Sequence, residues 1–224
     1  MSILNTEAQL ITLSHAVSKF TVGMEGNVSA RINEQEFLIK ASGTCLDTLA
    51  TNDLVLCNND GKQLSNFTKK PSIETSFHAW FYHTFDINYI AHTHPTNTLK
   101  ILCSSMANKF SIVRLFPDQV VFNGKISCVI PYAHPGECLM TQIEKHVENF
   151  LKKENFFPKL ILLENHGIIC TGSTTKECII QSEICEKAAE VFIGSINLGM
   201  LNTLSDESIE KIKVDKNEIY RTTI

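Results

Sequence analysis

The chain has 224 residues, of which 43% are hydrophobic and 20% are charged, and its formal net charge at pH 7 is -4. These values suit a globular protein with a substantial core, and we expect one domain over residues 1–224, with a core at about 6–199 and a tail at 200–224. The negative charge and the dispersed Lys and Arg residues argue against nucleic-acid binding, which requires a basic surface.

The N-terminal residues lack the basic and apolar regions of a signal peptide, and no stretch approaches the about 18 apolar residues that a membrane span needs. We therefore expect a cytoplasmic protein that does not bind membranes. The eight cysteines include no C-x-x-C pair, so we expect reduced thiols rather than a disulfide framework.

The first half of the chain predicts a helix, a group of strands and a second helix. Thr6-x-x-Gln9 has the pattern of a capping box, and apolar residues follow at helical spacing as far as Phe20. Apolar residues also recur every four positions from Ile73 to Phe85, which predicts a helix at about 72–85 with Ser72 as its cap. Between these helices, short apolar runs separated by turn residues predict antiparallel strands at 28–32, 37–39 and 54–56.

The second half mixes strands and helices without a regular alternation. The expected strands lie at 87–94, 120–122, 128–130 and 160–163, with 168–170 as an extension of the last one past His166. The expected helical segments lie at 99–102, at 139–151 and from a second capping box at Thr174 to about Leu198. We expect the polar tail from Asp206 to Ile224 to pack on a neighbour or on the surface. This order favours an α/β fold with a central, mainly antiparallel sheet flanked by helices.

Two histidines, His92 and His94, are separated by one residue in the expected strand at 87–94. Alternate side chains of a strand project from one face, so both imidazoles can reach one ion. His166, from a distant segment, adds a third imidazole, and three ligands with one open position are typical of a catalytic divalent metal. Glu74 starts the helix that leads into this strand, so it is placed to act as a fourth ligand or as a base.

Three loops of small residues suit the capture of an anion, because they offer backbone N–H groups, hydroxyls and a helix N-terminus. Lys40 precedes the second of them and adds a positive charge. The loops are Gly26-Asn27-Val28-Ser29, Ala41-Ser42-Gly43-Thr44 and Pro71-Ser72.

The chain resembles the class II aldolase/adducin family from about Thr6 to Gly199, through five motifs that keep their order and approximate spacing. The resemblance implies a three-layer α/β/α sandwich around an antiparallel-rich sheet. It also implies a four-fold symmetric homotetramer with active sites at the subunit interfaces. The motifs are Gly-Asn-Val-Ser (26–29), Lys-Ala-Ser-Gly-Thr (40–44), Lys-Pro-Ser-Ile-Glu-Thr (70–75), Ala-His-Thr-His-Pro (91–95) and Leu-Glu-Asn-His-Gly (163–167).

The resemblance also implies roles for individual residues. The zinc-binding histidines of the family fall on His92, His94 and His166, and its catalytic acid/base falls on Glu74. Three imidazoles favour zinc among the common divalent metals. The phosphate-binding positions of the family fall on Asn27, Ser42, Gly43 and Ser72.

Two positions depart from the pattern of fuculose-phosphate aldolases. Ile73 stands where those enzymes have a second serine, although Pro-Ser-Ile-Glu resembles aldolase domains that act on rhamnulose phosphate. Residues 114–119 occupy the region of the tyrosine proton donor, where Asp118 is the replacement candidate. A tail tyrosine also closes the site of those aldolases from a neighbouring subunit, and Tyr220 is the tail candidate here, so Asp118 and Tyr220 are the candidates for a second proton donor. The sequence leaves open whether the substrate carries phosphate.

The leading hypothesis is a metal-dependent aldolase that cleaves a ketose or ketose phosphate by a retro-aldol step through a metal-stabilised enediolate. A methylthioribulose-phosphate dehydratase shares the glutamate-threonine pair, and a ribulose-phosphate 4-epimerase usually carries aspartate at the position of Glu74, so the dehydratase is the better alternative. Adducin-like heads keep the fold as a non-catalytic scaffold but lack the metal histidines, which this chain retains.

Overall fold

Seven strands form one sheet in the structure, a computed structural model that describes residues 3–65 and 67–223. The ends of the expected domain, at residues 1, 2 and 224, lie outside the described residues. Neighbouring strands are antiparallel throughout the sheet order β3-β2-β1-β4-β7-β6-β5, except for the parallel pair β5 and β6. The strands are β1 (Asn27–Arg31), β2 (Glu36–Lys40), β3 (Leu54–Asn58), β4 (Tyr89–Thr93), β5 (Cys128–Ile130), β6 (Leu160–Leu163) and β7 (Gly167–Gly172).

Helices cover both faces of this sheet, which confirms the predicted α/β architecture with a mainly antiparallel sheet. Helices α1, α3, α4 and α7 pack on one face, and α2 and α6 pack on the other. The helices are α1 (Ile3–Val17), α2 (Thr75–Thr84), α3 (Thr96–Leu102), α4 (Ala107–Ile112), α5 (Pro117–Asn123), α6 (Glu137–Glu154), α7 (Thr175–Asn197), α8 (Asp206–Val214) and α9 (Lys216–Thr223).

Alternation along the central strands divides the apolar residues between the two faces. In β6, Leu160 and Leu162 pack with α1 and α7, whereas Ile161 and Leu163 pack with α2 and α6. All four side chains are buried. Because both faces of the sheet are covered, its inner strands form nearly continuous apolar runs instead of alternating with polar residues.

The prediction of a strand at 120–122 is wrong, since these residues lie in helix α5. Pro117 occupies the first turn of this helix and Asp118 adds a negative charge there, and both features favour a helix start. Gly124 ends the helix with a φ of 80°. The apolar run of three residues was too short to reveal a helical period, so the flanking proline and glycine were the better signals.

Residues 168–170 do not extend β6; they belong to β7, which runs antiparallel to it. The chain reverses in the turn at 164–166, where Asn165 adopts the left-handed region with a φ of 56°. Asparagine tolerates this conformation better than most residues. The reversal places His166 at the edge of the sheet, immediately before β7.

Two of the three predicted helix caps do not cap their helices, whereas the third, Thr174, accepts from the Glu177 N–H at the start of α7. Helix α1 begins at Ile3, so Thr6 lies inside the helix rather than at its cap. Helix α2 begins at Thr75 with Glu74 at its N-cap position, because Ser72 is held beside β2, where its N–H donates to the Lys40 carbonyl oxygen at 3.1 Å.

The polar tail forms helices α8 and α9, and α8 begins at a cap in which Ser205 Oγ accepts from the Ser208 N–H. All eight cysteines are free thiols, as expected, although Cys103 and Cys138 are exposed rather than in the core. Within the described ranges, none of the helices has both the length and the apolar character needed to cross a membrane.

We predict that Leu162→Ala lowers the free energy of unfolding by about 2–5 kcal/mol, because it leaves a cavity at a fully buried position of the central sheet. Urea denaturation measures this change. Leu198→Ala is the matched control, since Leu198 is 90% exposed, and it should change stability by less than about 0.5 kcal/mol. Equal effects of the two substitutions would contradict the described core.

Candidate metal centre

The candidate centre lies at the edge of the sheet where β4 ends, β1 begins and β6 turns into β7. His92 is in β4 and pairs in register with Asn27 of β1 and Ile169 of β7. His94 follows the end of β4, and its N–H donates to the Phe20 carbonyl oxygen at 3.1 Å. Strand pairing therefore sets the position of the first histidine, and a loop contact sets that of the second.

The turn between β6 and β7 brings the third histidine to the same place. The N–H groups of Glu164 and Asn165 donate to the carbonyl oxygens of Ile130 and Leu102, at 3.0 and 3.1 Å. A Cβ atom at Gly167 would collide with the backbone of Thr93. Glycine at this position therefore lets the His166 turn approach the end of β4 closely.

One ligand nitrogen from each of His92, His94 and His166 lies within 4.8 Å of the others. The Nε2 atoms of His92 and His94 are 3.1 Å apart. Two nitrogens bound to one tetrahedral zinc ion at 2.0–2.1 Å would be about 3.3 Å apart. The spacing of this pair therefore suits a shared divalent cation.

Hydrogen bonding directs the lone pair of His92 into the cluster. Its Nδ1 lies 2.9 Å from the carbonyl oxygen of Ile168, which can only accept, so Nδ1 carries the hydrogen and Nε2 is an acceptor. On the outer side of His94, Nδ1 lies 3.5 Å from Glu25 Oε2. The lone pair of His92 Nε2 therefore faces both His94 Nε2 and the Glu74 carboxylate, at 3.1 and 3.2 Å. Imidazole nitrogens and a carboxylate that converge in this way are a donor set that fits a metal ion.

The environment keeps these imidazoles neutral. Burial, followed by the proximity of His166, lowers the pKa of His92 to about 3. Burial and the proximity of His92 and His166 lower the pKa of His94 to about 3. Burial also lowers the pKa of His166. Neutral imidazoles are the form that binds metals, so the cluster is ready to bind a cation at neutral pH.

The carboxylate of Glu74 faces the same cluster and is buried. Its Oε2 lies 3.2 Å from His92 Nε2 and accepts a hydrogen bond from Asn27 Nδ2 at 2.8 Å. Its Oε1 lies 3.3 Å from His166 Nε2 and has no hydrogen-bond partner among the described residues. Because the imidazoles are neutral, these contacts are not ion pairs, and the carboxylate oxygens are available to a cation or to a substrate proton.

The loops expected to capture an anion lie beside this carboxylate. Ala41 and Pro71 form an antiparallel bridge, and the Ser42 N–H donates to the Lys70 carbonyl oxygen at 2.9 Å. Asn27 Nδ2 lies 3.2 Å from Ser72 Oγ. The structure therefore brings Asn27, Ser72 and Glu74 into contact and places the loop of Ser42 and Gly43 against the segment that leads to Ser72.

The loop at residues 41–44 has open space around Gly43 and a positively charged side chain, Lys40, directly before it. Gly43 has a φ of 78°, and a Cβ atom there would meet open space. Lys40 is buried and donates to the Met24 carbonyl oxygen at 3.2 Å, and burial lowers its pKa. The loop therefore combines room for a ligand with a nearby amine.

The candidate proton donors Asp118 and Tyr220 lie on other elements than the cluster. The Asp118 carboxylate on α5 pairs with Arg221 on α9 at 2.5 Å. Tyr220 is also on α9, which packs against α5 and α8. Arg114 is a structural residue that is buried and donates to the Gly124 carbonyl oxygen at 2.6 Å.

Two polar neighbours of the site were not among the predicted site residues: the sequence favoured a structural role for His78 over a hydrogen bond within the site, and it gave no role to Glu25. His78 contacts Asn27, and Glu25 lies beside His94. The position of His78 one helical turn after Glu74 was the available signal for it. Glu25 adjoins the Gly26-Asn27 loop, but sequence proximity alone could not show that its carboxylate turns toward a histidine.

Comparison with known proteins places the chain in a family. The model of the Class II Aldolase and Adducin N-terminal domain matches residues 9–193. The chain belongs to the class II aldolase and adducin family.

Three members of the class II aldolase and adducin family illustrate the similarity. The chain is 29% identical over 175 residues to a 3-oxo-tetronate 4-phosphate decarboxylase of Haemophilus influenzae, over 77% of this chain and 79% of the relative. It is 30% identical over 174 residues to an L-fuculose phosphate aldolase of Methanocaldococcus jannaschii, over 77% and 86%. A solved L-fuculose 1-phosphate aldolase has a TM-score of 0.79 at 23% identity, over 95% of this chain and 96% of that one.

We predict that the metal-free protein loses stability as the pH falls from about 6.5 to about 3. Burial lowers the pKa of His92 and of His94 from the ordinary histidine value of 6.5 to about 3 in the fold, so the unfolded chain binds protons in this window that the folded chain does not. Each imidazole then lowers the free energy of unfolding by up to about 1.4 kcal/mol per pH unit.

Urea denaturation of chelator-treated protein at a series of pH values measures this dependence. His94→Asn removes one titrating group and should make the slope of stability against pH shallower between these limits. An unchanged slope in this variant would contradict the neutral state of His94 in the folded protein.

Proposed function

We propose that the protein is a divalent-metal-dependent aldolase that cleaves a small ketose phosphate. One observation carries the proposal: three neutral imidazoles converge on one point with a buried carboxylate, directly beside two loops suited to an anion. The family membership and the similarity to an L-fuculose phosphate aldolase support the same reaction class.

In this proposal His92, His94 and His166 hold the ion, and three nitrogen ligands favour zinc. A divalent ion bound there supplies Lewis-acid chemistry, because it polarises a substrate carbonyl and stabilises the negative charge that develops beside it. The imidazoles are neutral, so they leave the charge of the ion undiminished. Burial of the cluster limits the access of water that would screen this charge.

Glu74 is the proposed base and acid. Its carboxylate takes the proton of the substrate hydroxyl on the carbon two bonds from the carbonyl carbon. The bond between the hydroxyl-bearing carbon and the carbon next to the carbonyl then breaks. The hydroxyl-bearing carbon leaves as an aldehyde, and the electron pair remains on the carbon next to the carbonyl in the ketone fragment. The same carboxyl group returns the proton to that fragment, so it moves one proton between two substrate atoms.

We propose that the loops with Asn27, Ser42, Gly43 and Ser72 bind the substrate phosphate, and that Asn27 acts there through the Ser72 hydroxyl that its NH2 group contacts. The bridge between Ala41 and Pro71 holds the two loops together, and Asn27 connects Ser72 to Glu74. Binding energy from the phosphate can therefore position the reacting carbon relative to the carboxylate.

Decarboxylation of a 3-oxo sugar acid phosphate is a second candidate, because the Haemophilus relative bears that name. In this reaction the bond between the carboxylate and the carbon next to the carbonyl breaks and carbon dioxide leaves. The electron pair stays on the carbon next to the carbonyl, which then takes up a proton. The site residues would serve the same functions, except that no hydroxyl proton has to be removed. The released product distinguishes the two reactions: an aldehyde for the aldolase and carbon dioxide for the decarboxylase.

The proposed homotetramer with active sites at its interfaces rests on the family resemblance, and two exposed apolar side chains near the site suit a subunit contact there. Ile73 directly precedes Glu74 and is 70% exposed, and Met24, whose carbonyl oxygen binds Lys40, is 62% exposed. A neighbouring subunit that packs there would cover both side chains.

We predict that the purified protein sediments with four times the chain mass of 25.1 kDa. Sedimentation velocity measures this mass. Ile73→Glu should shift the distribution toward smaller species, because a charge would be buried in the interface. A monomer at all concentrations would contradict the proposed assembly.

We predict that Glu74→Gln lowers kcat by about 10²–10⁴-fold while the protein still binds zinc, because the proton carrier is lost and the imidazoles remain. A panel of ketose phosphates and 3-oxo acid phosphates is incubated with metal-loaded protein, and the products are identified by mass spectrometry. His166→Asn is the control, and it should lose zinc together with activity.

Full activity of Glu74→Gln would reject this residue as the base. Carbon dioxide, an epimer or a dehydrated diketone as the product, without an aldehyde, would reject the aldolase reaction.

A further inference from the structure

A chain of buried hydrogen bonds leads from the second helix into the candidate centre. Tyr82 Oη lies 2.7 Å from Ser29 Oγ, which lies 2.7 Å from His78 Nδ1. His78 Nε2 lies 2.5 Å from Asn27 Oδ1, and Asn27 Nδ2 reaches Glu74 Oε2 at 2.8 Å. The side chains of His78 and Ser29 are completely buried, so water does not compete for these bonds.

The direction of each hydrogen bond in this chain follows from its acceptors. A carboxylate accepts only, so the NH2 group of Asn27 faces Glu74 and its oxygen faces His78. His78 must then donate from Nε2. Burial keeps the pKa of His78 well below 6.5, so its Nδ1 accepts from the Ser29 hydroxyl, which in turn accepts from Tyr82.

We propose that His78 is a positioning residue that locks the side-chain amide of Asn27 in one of its two orientations. In the opposite orientation, the amide oxygen of Asn27 would face the carboxylate of Glu74, and the Asn27 NH2 group would face the Nε2–H donor of His78. His78 touches neither the expected ion nor the substrate, so it acts through Asn27. The inference rests on the proposed function insofar as Glu74 is the proton carrier.

The locked amide also orients the hydroxyl of Ser72. Ser72 Oγ accepts from Asn27 Nδ2 at 3.2 Å and from the Glu74 N–H at 3.3 Å. Since both of these contacts use its lone pairs, its own hydrogen is left to donate outward to an anion. His78 therefore sets two groups at once, the carboxylate of the base and a donor for the substrate phosphate.

The test compares two replacements of His78 that retain different halves of the imidazole. His78→Gln retains an NH donor near the Nε2 position, and His78→Asn retains an acceptor near the Nδ1 position but cannot reach Asn27. We expect His78→Asn to lower kcat by about tenfold to a hundredfold and to raise KM for the phosphorylated substrate. We expect His78→Gln to recover most of both losses, and zinc content to be unchanged in both variants.

A binding measurement separates this inference from the proposed reaction. Inorganic phosphate is titrated into zinc-loaded protein by calorimetry, and its affinity should fall in His78→Asn and recover in His78→Gln. If the wild-type protein cleaves no compound in the panel, the proposed function fails, and the phosphate affinities still decide the role of His78. Equal phosphate affinities in both variants would overturn it.

Two further variants exclude a purely structural effect. Phe81→Leu, at a buried apolar position of the same helix, should lower the melting temperature without changing kcat or phosphate affinity. In an Asn27→Ala background, His78→Asn should have no further effect on kcat, and a full additional loss there would show that His78 does not act through Asn27.

If His78→Asn does not fold, Asn27→Asp replaces it as the test variant, since the aspartate presents an oxygen to Glu74 and should lower kcat similarly. Unchanged kcat in Asn27→Asp would overturn the proposal.

Discussion

The position of β4 between β1 and β7 is the constraint on which the candidate centre depends. Its register sets His92 opposite Asn27 on one side and Ile169 on the other. A shift of one residue would turn His92 to the opposite face of the sheet, where α1 and α7 pack. The two buried cores on either side of the sheet oppose such a shift, so the geometry of the site depends on packing well away from it.

Burial keeps the imidazoles of the cluster neutral, and for the same reason acid is expected to destabilise the folded protein. Burial lowers the pKa of His92 and His94 to about 3, which leaves their lone pairs available and makes protonation costly for the folded state. The same burial makes an unpaired carboxylate costly, and Asn27 satisfies one oxygen of Glu74 by a hydrogen bond. A divalent cation would compensate the remaining negative charge, so binding of a metal and stability of the site are linked.

Local sequence signals predicted the elements that have strong periodicity or clear boundaries, such as β4, α6 and α7. These local signals failed where contacts with distant parts of the chain determine the backbone conformation. The run at 120–122 was too short to distinguish a strand from helix α5, and the reversal at Asn165 required a left-handed residue within an apolar stretch. The tail helices were not predicted because the tail was judged by its polar composition, although Ile209 and Ile212 of α8 lie at helical spacing.

The sequence by itself determined the residue types of the candidate site: three imidazoles, one carboxylate and loops of small residues in the order of the class II aldolase and adducin family. Only the tertiary structure decided which atoms face one another, because those distances depend on strand register and on the turn at His166. It also revealed the chain from Tyr82 to Glu74, whose members are ordinary buried polar residues in sequence. Hydrogen-bond direction is a property of neighbours in space, and spacing along the chain does not encode it.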